Sequence, residues 1–320
     1  MNLPFKTLPE LFRYFSNEDK ARDFLEKTRW PDGRIVCPKC GKRGAYRNSD
    51  MRTYVCRDQE CTNRFSVTVG TMMENTKLPL AKWFGAIWLI TAHKKGISSC
   101  QLARDLGIGQ KAAWFLLHRI REMVTEKAPE LLKADVVMAD ECYVGGKFGN
   151  MKKTRRSKYI DEGKSNKTPV MGLLEKDGKG RLTVIGKDSF KDVVRKNVDK
   201  GAILVTDEHL GYVGLNKEYN AHVTINHSQL EFIRDGFTTN AVEGMFSILK
   251  RAIIGIYHQV AAGHLHRYCN EVAYRYNTRK VKDVQRFMDA MKQTKGRLKY
   301  KDLILPKPKQ YTGIEFINVD

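Results

Sequence analysis

Three carboxylates in the second half of the chain occur where acids are costly or where they share a face with other polar groups. Asp140 interrupts the apolar run 136–144, and Asp207 ends a short apolar run that begins at Ile203. An acid inside an apolar strand is unfavourable unless a charged group pairs with it. With Glu243 from a third segment, these oxygens could hold two hard divalent cations. Two such ions activate a water or hydroxyl and stabilise the leaving oxygen of a phosphodiester.

The segment from Thr239 past Lys250 is predicted to be a helix with one polar face. Steps of three and four residues place its polar members together, and its apolar members face a core. The polar members are Asn240, Glu243, Ser247 and Lys250, and the apolar ones are Val242, Met245, Phe246 and Leu249. Lys250, two turns beyond the acid, could hold a DNA backbone.

Structural alternatives exist for each acid. Asp140 could belong to a local hydrogen-bond network, Asp207 could cap the following turn, and Glu243 could form a capping box with Asn240. Glu141 and Glu208 are alternative ligands, because strand alternation decides which neighbour faces the site. His227 is expected near this site as a structural or DNA-contacting residue, since Mg²⁺ prefers oxygen.

Four of the seven cysteines have the spacing of a zinc ribbon. Cys37 and Cys40 form a C-x-x-C pair, and Cys56 and Cys61 follow after fifteen residues as a wider C-x-x-x-x-C pair. Two short pairs separated by a hairpin-sized gap predict one structural Zn²⁺ held by four thiolates. Cys100, Cys142 and Cys269 lie apart, and we expect them to be small core residues.

These sites require three kinds of folded element. Strand composition around the cysteines predicts a small β-rich ribbon. Helices are predicted over residues 80–93, over 101–106 after a capping serine, and over 110–124. A short helix, a glycine-containing turn and a further helix form a helix-turn-helix pattern. Its outward residues are predicted to face DNA, and those proposed as contacts are Lys111, Arg119 and Arg121.

From Ala134 onward the pattern is mixed. Apolar runs at 136–144, 169–174, 182–185, 203–206 and 221–225 predict strands, with a hairpin at Asp177-Gly178 and a helix over 189–198. A basic loop over 147–167 carries eight Lys or Arg against two acids. A solvated loop is its structural alternative. Its proposed DNA contacts are Lys152, Lys153, Arg155 and Arg156.

Composition favours a nucleic-acid partner. The 320 residues include 57 Lys and Arg against 36 Asp and Glu, a formal charge of +21. Such a positive field points to a polyanion, most often nucleic acid. We expect no membrane segment, because the longest apolar run, 83–92, is half of what a span needs. The first fifteen residues also lack a signal-peptide pattern. A cytoplasmic, nucleoid-associated location is expected.

We therefore expect a multidomain α+β protein. Residues 1–27 form an N-terminal helical segment, 28–72 the zinc ribbon and 76–130 a helix-turn-helix domain. Residues 134–258 form an α/β catalytic core, and 259–320 form C-terminal helices and an exposed tail.

The chain resembles bacterial insertion-sequence transposases of the fifteen-ninety-five family, which are related to the eukaryotic Merlin elements. The resemblance covers residues 10–295 and rests on an ordered set of motifs. They are CPKCG, FSVTVGT, LPLAKWF, KKGISSCQLARDLG, AWFLLHRIR, DECYVGGK, VTDEHLGY, TNAVEGMFSILKR and HRYCNEVAYRYN. The wider second cysteine pair departs from the family pattern.

This resemblance implies a ribonuclease-H-like fold with catalytic Mg²⁺ or Mn²⁺ ions. It implies Asp140 and Asp207 as the first two ligands. The family varies between Glu and Asn at the third, and Glu243 followed by Lys250 suits the Glu form, with Asn240 a possible contributor.

The implied activity is transposition of double-stranded DNA. The ribbon and helix-turn-helix would bind the terminal inverted repeats, and a phosphodiester there would be hydrolysed to release a 3′-hydroxyl that attacks target DNA. Synapsis of two ends implies a homodimer or larger assembly on DNA. The alternatives are a domesticated DNA-binding regulator and a structure-specific nuclease without strand transfer.

Overall fold

The computed structural model describes residues 3–146, 148–162 and 165–304. In chain order, its α-helices are α1 (Leu8–Tyr14), α2 (Glu18–Arg29), α3 (Leu80–Ala92), α4 (Ser99–Leu106), α5 (Gln110–Met123), α6 (Lys153–Asp161), α7 (Phe190–Asn197), α8 (Asn240–Ala252), α9 (Ala262–Asn277), α10 (Asp283–Met291) and α11 (Tyr300–Ile304). Its strands are β1 (Tyr46–Arg47), β2 (Thr53–Val55), β3 (Arg64–Ser66), β4 (Val136–Gly145), β5 (Lys167–Glu175), β6 (Gly180–Val184), β7 (Ile203–Asp207) and β8 (Ala221–Ile225).

The chain forms two compact units. The amino-terminal unit contains residues up to 124 together with 280–304, and the sheet unit contains residues 125–279. The predicted C-terminal element 259–320 is therefore divided, because α9 belongs to the sheet unit and α10 and α11 to the amino-terminal unit. Residues 305–320, which include the predicted tail, lie outside the described residues. No helix within the described ranges is long and apolar enough to cross a membrane.

An aromatic core holds the amino-terminal unit together. Phe287 of α10 contacts the rings of Phe5, Phe24, Phe84 and Trp88. Next to this core, the chain around residue 295 pairs with the chain around residue 71, where the N–H of Met72 donates to the carbonyl of Thr294 at 2.8 Å. Large buried rings supply much of the folding energy of such a unit. Residues 280–304 are thus part of the core of the unit that contains the residues up to 124.

Helices α4 and α5 occupy the segments in which the helix-turn-helix pattern predicts helices. The Ser98 hydroxyl accepts a hydrogen bond from the Gln101 N–H and so caps α4. Gly107 ends α4 in the left-handed conformation, with φ +57°, which favours glycine. The role of this pair in DNA binding stays a prediction.

The sheet unit is built on a five-stranded mixed sheet with the order β6-β5-β4-β7-β8. Strand β4 is antiparallel to β5 and parallel to β7, which in turn is parallel to β8. The sequence predicted three strands, a helix, a strand, a connector, a strand and a helix, and the structure follows this order except that helix α6 lies between the first two strands. The hairpin at Asp177 is confirmed. This mixed sheet is consistent with a ribonuclease-H-like core. The predicted basic loop differs, because the turn 148–150 and helix α6 lie within it.

Alternating side chains of the sheet pack on two different cores. Met138 and Val205 face α8 and α9, whereas Val137 and Leu204 face α7. Because successive side chains of a strand point to opposite faces, residue parity fixes the face on which each later side chain lies. This parity also fixes the faces on which Asp140 of β4 and Asp207 of β7 lie.

Candidate metal centre and nucleic-acid interface

Asp140 and Asp207 lie at equivalent positions on neighbouring parallel strands. Met138 of β4 is in register with Val205 of β7, and each acid follows two residues later. Both acids therefore have the parity of the face that packs against α8. Oxygen atoms of Asp140, Glu141 and Asp207 lie within 4.8 Å of one another. The structure brings the two predicted ligands together and adds a third acid.

Glu141 has the opposite parity and is held from the other side of the sheet. The hydroxyl of the buried Tyr212 donates to Glu141 Oε2 at 2.8 Å, and His209 Nε2 lies 3.7 Å from Oε1. Only 6% of the Glu141 side chain is exposed. The sequence offered Glu141 only as an alternative to Asp140, whereas the structure places both in one cluster. The signal that could have found Tyr212 is its place five residues after Asp207, in the same motif.

The cluster is electrostatically unfavourable without a cation. Burial raises the pKa of Asp140 to about 7, and the charges of Asp207, Glu141 and Glu243 add to that rise. Burial, with Asp207, likewise raises the pKa of Glu141 to about 7, and the pKa of Asp207 is raised mainly by burial. Carboxylates that are buried next to one another are expected to bind cations or protons. Their all-oxygen donor set suits Mg²⁺ or Mn²⁺.

Helix α8 presents its predicted polar face to solvent. Asn240, Glu243, Ser247 and Lys250 are exposed, and Val242, Met245, Phe246 and Leu249 are buried. Glu243 is near enough to raise the pKa of Asp140. Burial raises the pKa of Cys142 on β4 to about 12, and the charge of Lys250 opposes that rise. Both side chains thus lie within electrostatic range of β4.

The capping-box alternative for Glu243 is wrong. Asn240 is the first residue of α8 and Thr239 is its N-cap, and the helix has no side-chain cap hydrogen bond. Instead, the Thr239 hydroxyl donates to Glu243 Oε1 at 3.2 Å. His227 Nε2 lies 3.1 Å from that hydroxyl and 3.7 Å from Glu243 Oε1. His227 therefore lies beside the third acid, as expected.

Glu208 has a structural role. Its carboxylate accepts hydrogen bonds from the N–H groups of His227 and Ser228 at 2.9 and 3.0 Å and from the Ser228 hydroxyl. The Ser228 hydroxyl is the largest cause that lowers the Glu208 pKa, to about 2. Glu208 anchors the turn that carries His227, so Asp207 is the acid that strand alternation leaves for the metal cluster.

The four predicted thiolates meet in one cluster. Cys37 Sγ lies 3.8 Å from Cys61 Sγ, and Cys40 Sγ lies 3.6 Å from Cys56 Sγ. Tetrahedral Zn²⁺ with bonds of about 2.3 Å requires sulfur–sulfur distances of about 3.8 Å, so the donor set fits. Burial raises the pKa of Cys37, but N–H groups of Cys40 and Lys39 outweigh it and lower the value to about 6.

The other cysteines divide. Cys142 and Cys269 are buried, as expected, but Cys100 is exposed, so its assignment to the core is wrong. Cys100 is the second residue of α4, whose buried face is formed by Leu102 and Leu106.

Helix α2 is anchored to the ribbon through its acids. Arg47 of β1 pairs with Asp23 at 2.9 Å and with Glu26, and the Tyr54 hydroxyl also donates to Glu26. The boundary predicted between residues 27 and 28 therefore separates residues that bind each other. This long-range pairing leaves no local pattern in the sequence.

Two of the three DNA contacts predicted on α5 are buried. Arg121 is 1% exposed, and Arg119 is 7% exposed. The guanidinium of Arg119 donates to the carbonyls of Leu298 and Glu74, both at 3.1 Å. The prediction that both arginines face outward is wrong, because residues outside α5 cover that face. Lys111 is exposed, with its ammonium 5.0 Å from the Tyr300 ring centre.

The predicted contacts after β4 are exposed where the structure describes them. Lys152, Lys153 and Arg156 are all exposed at or within α6. The side chain of Arg155 and residues Lys147 and 163–164 lie outside the described part of the chain. This helix provides a basic surface that suits a phosphate backbone.

Comparisons with known proteins agree with this geometry. Residues 133–277 match the ISXO2-like transposase domain, and residues 16–64 match the transposase zinc-ribbon domain. The chain is also similar to an uncharacterised protein in the transposable element ISH50 of Halobacterium salinarum. The two are 24% identical over 265 residues, which cover 78% of this chain and 85% of that protein. The first match includes the acid cluster, α8 and α9, and the second includes α2 and all four ribbon cysteines.

Proposed function

We propose that this protein moves a DNA element, because residues 133–277 match the ISXO2-like transposase domain and residues 16–64 match the transposase zinc-ribbon domain. It binds the terminal inverted repeats, hydrolyses a phosphodiester at each end and joins the 3′-hydroxyl to target DNA. The observation that carries this proposal is the convergence of Asp140 and Asp207 on neighbouring parallel strands, with Glu243 of α8 near enough for its charge to raise the pKa of Asp140.

Asp140, Asp207 and Glu243 are the proposed ligands of two divalent cations. When bound, these ions would supply activation of the attacking hydroxyl and neutralisation of charge at phosphorus. Glu141, held by Tyr212, keeps the cluster in place and adds a further oxygen. Both reactions are in-line displacements at phosphorus, so one centre can serve hydrolysis and strand transfer.

Basic side chains are proposed to hold the DNA. Lys250 follows Glu243 by two turns on the polar face of α8 and would contact the backbone near the reacting phosphate. Lys152, Lys153 and Arg156 would hold a more distant part of the duplex. The zinc ribbon and Lys111 are assigned to recognition of the element ends. A homodimer or larger assembly is proposed on DNA, because two ends must be joined together.

The direct test is cleavage of labelled DNA that carries the native flanks of the gene, in Mg²⁺, Mn²⁺ or EDTA. Cleavage at the element ends that requires the cation and is lost in Asp207→Ala and Glu243→Gln supports the proposal. Asn240→Ala tests whether that amide contributes. DNA binding without cleavage, in protein with a full zinc content, would instead favour a regulator. Cleavage without strand transfer would favour a structure-specific nuclease.

A further inference from the structure

The loop between β8 and α8 combines exposed apolar side chains with a position beside the acids. It spans residues 226–239, longer than most connections in compact domains, and loops of this length are often functional. Its Leu230, Phe232 and Ile233 are 79%, 55% and 63% exposed. Three such side chains within four residues form a patch that water solvates poorly.

Hydrogen bonds within the loop brace its backbone and its charged side chains. The N–H of Asn226 donates to Glu231 Oε2 at 3.0 Å, and the same carboxylate binds Arg234 through two hydrogen bonds of 2.8 and 2.7 Å. Asp235 and Gly236 both have positive φ, which is the hairpin turn that joins Arg234 to Phe237. Leu230 also has a positive φ of 58°, a costly conformation for a residue with a Cβ. The exposure of the patch is therefore built into the fold.

The patch is connected through His227 to Glu243, the proposed third ligand. The ring of Phe232 lies 5.9 Å from that of His227, whose Nε2 lies 3.7 Å from Glu243 Oε1. A phosphate at the acids would have its adjoining nucleotides within reach of this loop. The charge of +21 on the whole chain favours DNA over another protein as the partner of this patch.

We propose that Phe232, flanked by Leu230 and Ile233, wedges into the base stack beside the reacting phosphate and holds the adjoining base unpaired. Apolar side chains such as Phe, Leu and Ile act in this way between base steps. An unpaired base frees the strand end to enter the acid cluster. This inference rests on the proposed function, because it requires DNA at that cluster.

The test is the fluorescence of 2-aminopurine, which rises when the base leaves the stack. The probe is a duplex of the gene's own flanking sequence with 2-aminopurine at successive positions, and Ca²⁺ replaces Mg²⁺ so that binding is measured without cleavage. We expect a rise at a base next to the cleavage position. Phe232→Ala should abolish that rise and weaken binding about fivefold or more. Phe232→Leu keeps an apolar wedge and should retain most of the rise.

Leu131→Ala is the matched control. Leu131 is also an exposed apolar residue, but it precedes the first residue of β4, whereas the loop that carries Phe232 follows the last residue of the parallel strand β8. It should behave like the unmodified protein. Binding without a fluorescence rise, or a rise that Phe232→Ala leaves intact, overturns the inference and leaves the proposed function standing. A change of oligomeric state in Phe232→Ala identifies the patch as a protein interface and also overturns it. Failure of the unmodified protein, with full zinc content, to bind the duplex overturns the proposed function itself.

Discussion

Asp140 of β4 lies directly opposite Gly172 of β5, and this pairing lets helix α8 approach the sheet beside the acid. A Cβ atom on Gly172 would lie 2.6 Å from Val242 Cγ2 and 2.8 Å from Phe246 Cζ, both on α8. Such distances are shorter than a carbon–carbon contact allows. The helix that carries Glu243 is therefore close to Asp140 because residue 172 has no side chain.

We predict that Gly172→Ala displaces α8 and lowers cleavage activity. Overpacking at this contact should cost about 1–3 kcal/mol in the free energy of unfolding. Chemical denaturation and the cleavage assay measure the two effects. Gly244→Ala is the control, because nothing lies within 4 Å of its added Cβ, and alanine should slightly stabilise the helix. Unchanged stability and activity in Gly172→Ala would contradict the close approach of α8.

Removing the Tyr212 hydroxyl is predicted to weaken cation binding. The hydrogen bond from Tyr212 lowers the pKa of Glu141, which burial and Asp207 raise to about 7. In Tyr212→Phe that pKa should rise further, so Mn²⁺ binding should require a higher pH and weaken by about tenfold near neutrality. Titration calorimetry across pH measures this change. An affinity that stays the same at every pH would show that Glu141 is not part of the cation site.

The acid cluster predicts a stability that depends on pH and on cations. The pKa values of Asp140 and Glu141 are raised in the folded state. In the cation-free protein, the stabilising contribution of these two groups is therefore greatest below the ordinary carboxyl pKa of about 4. That contribution is lost as the pH rises through about 7. Mg²⁺ or Mn²⁺ should therefore raise the melting temperature more at about pH 8 than at about pH 5.

Asp140→Asn is predicted to stabilise the protein while it abolishes cleavage. The substitution removes one of the repelling charges and should add on the order of 1–3 kcal/mol at about pH 8 without cations. The gain should disappear near pH 4, where the native acid is protonated. A loss of stability at high pH would mean that Asp140 is held by an interaction other than cation binding.

Arg119 and the residues of α6 should respond in opposite ways to substitution. Arg119→Ala leaves the buried carbonyl of Leu298 and the partly buried carbonyl of Glu74 without their donor and should cost about 2–4 kcal/mol in stability. Lys153→Ala and Arg156→Ala should leave stability unchanged and weaken DNA binding, and each should reduce the salt slope by about one, because one fewer phosphate is neutralised. Thermal unfolding and binding at several salt concentrations separate the two roles. Equal loss of stability in all three variants would contradict this division.

Zinc removal is predicted to unfold the ribbon. Cys37→Ser or a strong chelator should expose the segment around residues 35–66 to proteolysis, because a unit this small depends on its metal for folding energy. Cys100→Ser, at an exposed cysteine outside the cluster, should change neither zinc content nor proteolysis. Metal analysis should give one Zn²⁺ per chain.

Local sequence patterns were sufficient to locate charged residues within apolar strands and cysteines with the spacing of a metal site. Asp140 and Asp207 could be found because each stands at an apolar strand that had no local reason to contain an acid, and the four cysteines because their spacing is itself a geometry. The face of α8 followed from helical periodicity alone, since its polar side is exposed in the described part of the chain.

The features that local patterns missed depend on residues distant in the chain. Arg119 looks outward on a helical wheel, and only its partners at Glu74 and Leu298 show that this face is covered. Glu141 has the wrong strand parity for the α8 face and enters the cluster through Tyr212. The contacts of Arg119 have no spacing that a sequence pattern could record, and the local signal for the Tyr212 contact is its place five residues after Asp207.

Because Phe287 is synthesised long after the other rings of the aromatic core, the order of synthesis determines when that core can be completed. The aromatic core that contains Phe5 and Phe84 lacks one of its rings until α10 has been made. By then residues 125–279 have all been synthesised, and their sheet can close on its own contacts. We therefore expect the amino-terminal unit to complete its core after the sheet unit has folded. A nascent chain stalled before residue 280 should carry a closed sheet and an amino-terminal unit that proteases still cut.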